Sequence, residues 1–133
     1  MKLFRKAKDG GPLSRIVGYW LFEIKSLASA AILKFEDGSR DAFHDHAFEA
    51  MSWVLRGKLT EYLVDGTVQE YGPSLRPVFT HRRTMHKVVS DGDTWVLTFR
   101  GPWRRTWREF DPNTREYTVL SDGRIAVKKW FAK

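Results

Sequence analysis

The stretch His44-Asp45-His46-Ala47-Phe48-Glu49-Ala50-Met51-Ser52-Trp53-Val54-Leu55-Arg56-Gly57 reads as extended chain carrying a possible ion site. Side chains alternate across a β-strand, so His44 and His46 share a face on which their ring nitrogens can converge, and Asp45 faces the other way. The apolar run Met51–Leu55 continues as strand and stops at Gly57. All four histidines of the chain lie within residues 44–86, and His86 is the natural third member of the set.

Outward from this stretch, Asp-Gly punctuates the chain at Asp9-Gly10, Asp37-Gly38, Asp65-Gly66, Asp91-Gly92 and Asp122-Gly123. Asp-Gly suits tight turns in which the glycine takes a positive φ. Four of the five sit between alternating or β-branched segments. Ala30–Glu36, Lys58–Val64, Met85–Val89 and Tyr117–Leu120 precede the turns, and Phe43–Leu55, Thr67–Tyr71, Thr94–Phe99 and Arg124–Phe131 follow them. This spacing predicts an antiparallel all-β domain of about eight to eleven strands, a sandwich or barrel. The segment Ile24–Leu33, rich in Leu and Ala, allows two turns of helix or a strand.

The 133 residues suit one domain with a core of its own, so residues 1–133 are expected to fold as a unit, with 1–12 as a basic N-terminal arm. Nine Phe, six Trp and four Tyr favour strands over a helical bundle. Cysteine is absent, which excludes disulfides, thiolate metal sites and Cys nucleophiles and leaves His and carboxylate as metal ligands. The net charge of +7 is spread from Lys2 to Lys133 instead of lying on one periodic face, which argues against a nucleic-acid partner. No run approaches the length of a membrane span or a signal-peptide core, so a cytoplasmic protein with no membrane partner is expected. A phosphate-binding Gly-rich loop, a Gly-x-Ser-x-Gly elbow and a credible Ser-His-Asp set are all missing.

Asp37-Gly38, His44-Asp45-His46, Glu49 and Gly57, followed by Tyr71-Gly72-Pro73, Pro77 and Thr84-Met85-His86, resemble the two sequence blocks of the cupin superfamily. With Trp95–Pro102 and the following Arg104, Arg105 and Trp107, the chain looks like a group of small cupins of phages and bacteria. Members of that group carry His-Asp-His-Pro-Trp-Asp and Trp-x-Leu-x-x-x-Gly-Pro before an Arg-rich Trp-Gly-Phe. The resemblance runs from about Asp37 to Phe110 and departs from the pattern at Ala47, Phe48 and Arg108, where Pro, Trp and Gly are usual. It implies a double-stranded β-helix, a small jelly-roll barrel, with a metal held in its mouth, and pairing into a homodimer, for which Arg124–Phe131 is an apolar candidate strand.

The resulting candidate metal ligands are His44, His46, His86 and Glu49. Glu49 lies three residues beyond His46, closer than the cupin pattern places its acid, and strict alternation turns it off the shared face unless a bulge intervenes. His81, five residues before His86, falls on the opposite face and reads as a surface or supporting residue. Asp45 is a candidate for orienting a neighbouring segment. Arg82 and Arg83 are candidates for an anionic substrate or for the solvated surface. Trp53, Trp95, Trp103 and Trp107 read first as core and second as pocket wall. Three imidazoles suit a divalent first-row transition metal: Fe, Mn, Ni, Zn or Cu. The expected function is therefore a metal-binding cupin, an oxygenase-like enzyme by analogy of fold, acting on an unknown small molecule. A non-catalytic binding or assembly module is the alternative.

Overall fold

The computed structural model describes residues 2–9, 16–39, 43–104, 106–121 and 125–131. Among them, the strands in chain order are β1 (Lys2–Lys8), β2 (Ile16–Ile24), β3 (Ala28–Phe35), β4 (Gly38–Ser39), β5 (Phe43–His44), β6 (Ala50–Arg56), β7 (Leu59–Leu63), β8 (Val68–Tyr71), β9 (Val78–Thr80), β10 (His86–Ser90), β11 (Thr94–Arg100), β12 (Thr106–Asp111), β13 (Glu116–Ser121) and β14 (Ile125–Phe131). One sheet runs β1-β2-β3-β11-β6-β9, the other β14-β13-β12-β5-β10-β7-β8, with β4 also on β10, and every pairing is antiparallel. The strand count exceeds eight to eleven because two-residue pairings such as β4 and β5 are too short to stand out as periodic sequence.

Among the described residues, Asp37-Gly38, Asp65-Gly66 and Asp91-Gly92 fall at breaks between strands as expected. Gly38, Gly66 and Gly92 have φ of 113°, 94° and 69°, a region that costs an L side chain about 1 kcal/mol or more. Asp9-Gly10 and Asp122-Gly123 reach outside the described residues. The helical option for Ile24–Leu33 is not taken: Lys25–Leu27 is a turn, closed by Leu27 N donating to Ile24 O at 2.9 Å, and β3 follows it. The segment expected as a basic arm forms β1 and is the outer strand beside β2. Likewise, Ile125–Phe131 pairs with Glu116–Ser121 of its own chain.

The two sheets face one another across a core of Trp20, Ala31, Leu33, Val54 and Val96 from the first and Leu59 from the second, with Val88 packed against it. Burying a Val or Leu side chain of this kind stabilises by about 1.5–3 kcal/mol. On β11 the register is plain: Thr94, Val96, Thr98 and Arg100 are buried, while Phe99 is exposed. The inward polar groups find partners. Thr94 Oγ1 donates to Lys58 O at 3.0 Å and lies 2.8 Å from Ser90 Oγ, and Ser52 Oγ lies 2.9 Å from Thr98 Oγ1. The continuous strand expected over Phe43–Leu55 is broken at 45–49, because β5 belongs to one sheet and β6 to the other and the chain turns a corner between them.

Candidate metal centre

His44 and His86 are direct cross-strand partners, on β5 and β10. Directly opposed residues of an antiparallel pair point to the same face, so both imidazoles enter the barrel. His46 follows just past the end of β5, where Asp45 N donates to Arg108 O and His46 N to Arg82 O, each at 2.9 Å. The three ring centroids form a triangle with every side 4.9 Å. One nitrogen from each ring lies within 4.8 Å of the other two. Residues separated by some forty positions in the sequence thus meet through one register, His86 opposite His44.

Asp45 points the other way, as alternation requires, and ties this corner down. Its buried carboxylate accepts from Arg108 N at 2.5 Å and from Arg108 Nε at 2.7 Å, fastening β5 to β12. Glu49 is outside the histidine group. Its carboxylate is 55% exposed and lies 3.6 Å from Nε2 of the still more exposed His81, so these two residues meet each other on the surface. Between Ala47 and Glu49 the chain is held by Arg104 N donating to Ala47 O and Gly101 N to Glu49 O, and this corner leaves Glu49 facing solvent.

The acid that touches the group is Glu61, on β7, which sequence reasoning missed. Its Oε2 lies 2.6 Å from His86 Nδ1, with both side chains largely shielded from solvent. The hydrogen bond from His86 holds the Glu61 carboxyl below the ordinary carboxylate range, in spite of burial, and the hydroxyl of Tyr71 adds to this by donating to Glu61 Oε1 at 3.2 Å. Burial and the Glu61 charge in turn push the Tyr71 phenol up to about 12. The signal for Glu61 was available: Leu59, Glu61 and Leu63 share one face of β7, so an acid stands in an apolar register.

The residues present fit a metal ion. With Nδ1 held by Glu61, the ring nitrogen left for an ion is Nε2, and that atom is buried with no hydrogen-bond partner. A carboxylate on the far nitrogen is the usual companion of a metal-bound imidazole, fixing its ring and raising its basicity.

The histidines open on a cavity of about 460 Å³ between the sheets. Trp20, Phe48, Trp103 and Trp107 are among its walls. Phe48 links the regions: its ring centroid is 5.3 Å from that of His46, 5.1 Å from that of Trp103, and 4.4 Å from the Arg100 guanidinium. Arg100 lies against Trp20 as well and is gripped by Asp9, whose two oxygens accept from Nη1 and Nη2 at 3.2 and 2.6 Å. Trp53 and Trp95 lie elsewhere: Trp53 Nε1 donates to Leu75 O, and Trp95 stacks on Tyr19. Arg82 and Arg83 are not among the described lining residues.

Comparison with solved structures settles the architecture. An RmlC-like cupin from Shewanella frigidimarina superposes with a TM-score of 0.58 at 18% identity, over 76% of this chain and 86% of its own. The chain has the cupin fold. A sugar phosphate isomerase of the cupin superfamily from Silicibacter pomeroyi gives a TM-score of 0.65 at 12% identity, covering 96% of this chain and 92% of the isomerase. The polyketide cyclase RemF from Streptomyces resistomycificus gives 0.65 at 19%, over 78% of each chain. No protein-family model and no curated protein matches the sequence.

Proposed function

We propose that this protein is a metal-binding cupin in which His44, His46 and His86 hold one divalent first-row transition ion, Fe, Mn, Ni, Zn or Cu, beside a cavity that takes a small molecule, and that it is a metal-dependent enzyme. The observation that carries the reading is the histidine triangle with His86 tied by Nδ1 to Glu61 and its Nε2 buried and unbonded. A buried ring nitrogen without a partner is costly, and an ion is the partner that three converging imidazoles share. Glu49 has no part in this set, and Glu61 acts behind it.

When bound, the metal supplies a Lewis acid for an oxygen of the ligand. Around it the chain's own groups position and exclude: Glu61 orients His86, Asp45 fixes the strand end that carries His44, and Phe48, Trp103 and Trp107 shape an apolar wall. Among the structural neighbours, a polyketide cyclase, an ectoine synthase and a sugar phosphate isomerase are enzymes by name, which supports small-molecule chemistry without choosing the reaction.

The test is elemental analysis of protein purified without a metal-affinity tag, as isolated and after incubation with Fe(II), Mn(II), Ni(II) or Zn(II). Wild type is expected to carry about one ion per chain, and His44→Ala and His86→Ala to carry little. Equal, negligible metal in all three proteins refutes the reading.

A further inference from the structure

Four acids line the cavity: Asp9, Glu23, Asp45 and Glu61. Three are committed, Asp9 to the Arg100 guanidinium, Asp45 to Arg108 and Glu61 to His86. Glu23 is not. It is 8% exposed, yet among the described residues its carboxylate makes no hydrogen bond or ion pair.

Its place in the sheet explains why it faces the interior. Glu23 on β2 is opposite Ser29 on β3, which is opposite Arg100 on β11. Residues in such a row point to one face, and all three are buried. This row belongs to the sheet across the barrel from β5 and β10, which carry His44 and His86. Packed sheets lie about 10 Å apart, so one small molecule can reach from the histidines to Glu23.

Among the described residues, the cations of the cavity wall make no ion pair with Glu23. Arg100 is gripped by Asp9 through both terminal nitrogens and lies against Trp20 and Phe48. The Lys25 ammonium sits over the Trp103 ring at 4.7 Å, and Arg5 and Lys8, also on the cavity wall, are exposed. A shielded carboxylate gains far more from a cation that enters with the ligand than from a neutral donor, because a charge-assisted hydrogen bond is about twice as strong.

We propose that Glu23 is the recognition anchor for a protonated amine, so that the cavity takes a small molecule with an ammonium group at the Glu23 end and a metal-ligating group at the histidine end. The metal-ligating half rests on the function proposed above; the Glu23 half does not.

Benzylamine and benzyl alcohol, which share a ring and differ in the charged donor, are suitable probes. Their binding is read by ligand-observed NMR on chelator-treated and on Zn(II)-loaded protein, for wild type and Glu23→Gln, with metal content measured on the same samples. In chelator-treated wild type, benzylamine is expected to bind about tenfold more tightly than the alcohol, and Glu23→Gln to bring the two within about twofold. Equal binding, no binding of the amine, or a preference that survives in a folded Glu23→Gln overturns the proposal. If that variant does not fold, the wild-type comparison decides alone. Protein that takes up no metal yet prefers the amine refutes the metal centre and leaves Glu23 standing, whereas metal-replete protein without the preference does the reverse.

Discussion

Replacing Glu61 with Gln separates a supporting acid from a ligand. The substitution keeps the shape of the side chain but exchanges a charged acceptor for a neutral one at 2.6 Å from His86 Nδ1. A hydrogen bond to a charged group is worth about 1.5–3 kcal/mol and a neutral one about 0.5–1.5, so the imidazole loses roughly 1–1.5 kcal/mol of support. Little is recovered by solvent screening, because the Glu61 and His86 side chains are only 12% and 6% exposed. Carboxylates behind metal-bound histidines carry about 10- to 100-fold in affinity, or about 1.4–2.8 kcal/mol, and the lost hydrogen-bond energy meets the lower end of that range. Glu61→Gln is therefore expected to weaken metal binding about tenfold. The assay is competition against a chromophoric Zn(II) chelator at neutral pH, on protein whose fold is verified by circular dichroism. Affinity within about twofold of wild type would show that Glu61 does not tune His86. A loss as large as that of His86→Ala would show that Glu61 binds the ion itself. Either result refutes the reasoning.

Asp45→Ala strips acceptors from Arg108 N and Nε at the corner that presents His44, and is expected to cost about 2 kcal/mol by urea denaturation, less than a fully buried pair because Arg108 is 37% exposed. It should also weaken metal binding, since β5 loses its tie to β12. Gly57 and Gly66 have nearly the same φ, +97° and +94°, but a Cβ on Gly57 would meet Asp93 O and Thr94 Oγ1 at 2.6 Å, while one on Gly66 meets nothing within 4 Å. Gly57→Ala is thus expected to lower stability clearly more than Gly66→Ala, whose cost is the backbone term of about 1–2 kcal/mol alone; equal costs in denaturant titrations would remove the role given to the contact with β11. Tyr71 has its phenol pushed up from 10.0 to about 12, so its neutral form contributes stability that is intact below pH 10 and lost as the pH rises toward 12. Phenolate absorbance in wild type and Tyr71→Phe should assign the highest-titrating tyrosine to Tyr71, and its absence from that end of the curve would refute the assignment.

The barrel was legible because its signals are local. Asp37-Gly38, Asp65-Gly66 and Asp91-Gly92 mark breaks between strands through the positive φ of one glycine, and β11 shows its inner face through Thr94, Val96 and Thr98. What sequence concealed was the chain's passage between sheets. Phe43–Leu55 has strand character throughout, but the backbone hydrogen bonds at 45–49 go to Arg108, Arg82, Arg104 and Gly101, partners drawn from other parts of the chain. No periodicity in the segment itself encodes those contacts. The same limit applies to Ile24–Leu33, where Leu and Ala permit helix and pairing to β2 and β11 overrides that propensity.

For the site, the difference between Glu49 and Glu61 is instructive. Proximity in sequence to His44 and His46 favoured Glu49, while alternation spoke against it, and the exposed contact with His81 agrees with alternation. Glu61 is remote in sequence but sits on the inner face of the strand paired to β10, diagonal to His86 by way of the His86–Leu63 register. Glu23 is a second acid of this kind, inward on β2 in a row with Ser29 and Arg100. An acid on the inner face of a strand is thus a better pointer to this cavity than an acid near a histidine. An inward charge on a strand is stabilised by a partner: for Glu61 that partner is His86 within the fold, and for Glu23 it is the ligand ammonium proposed above.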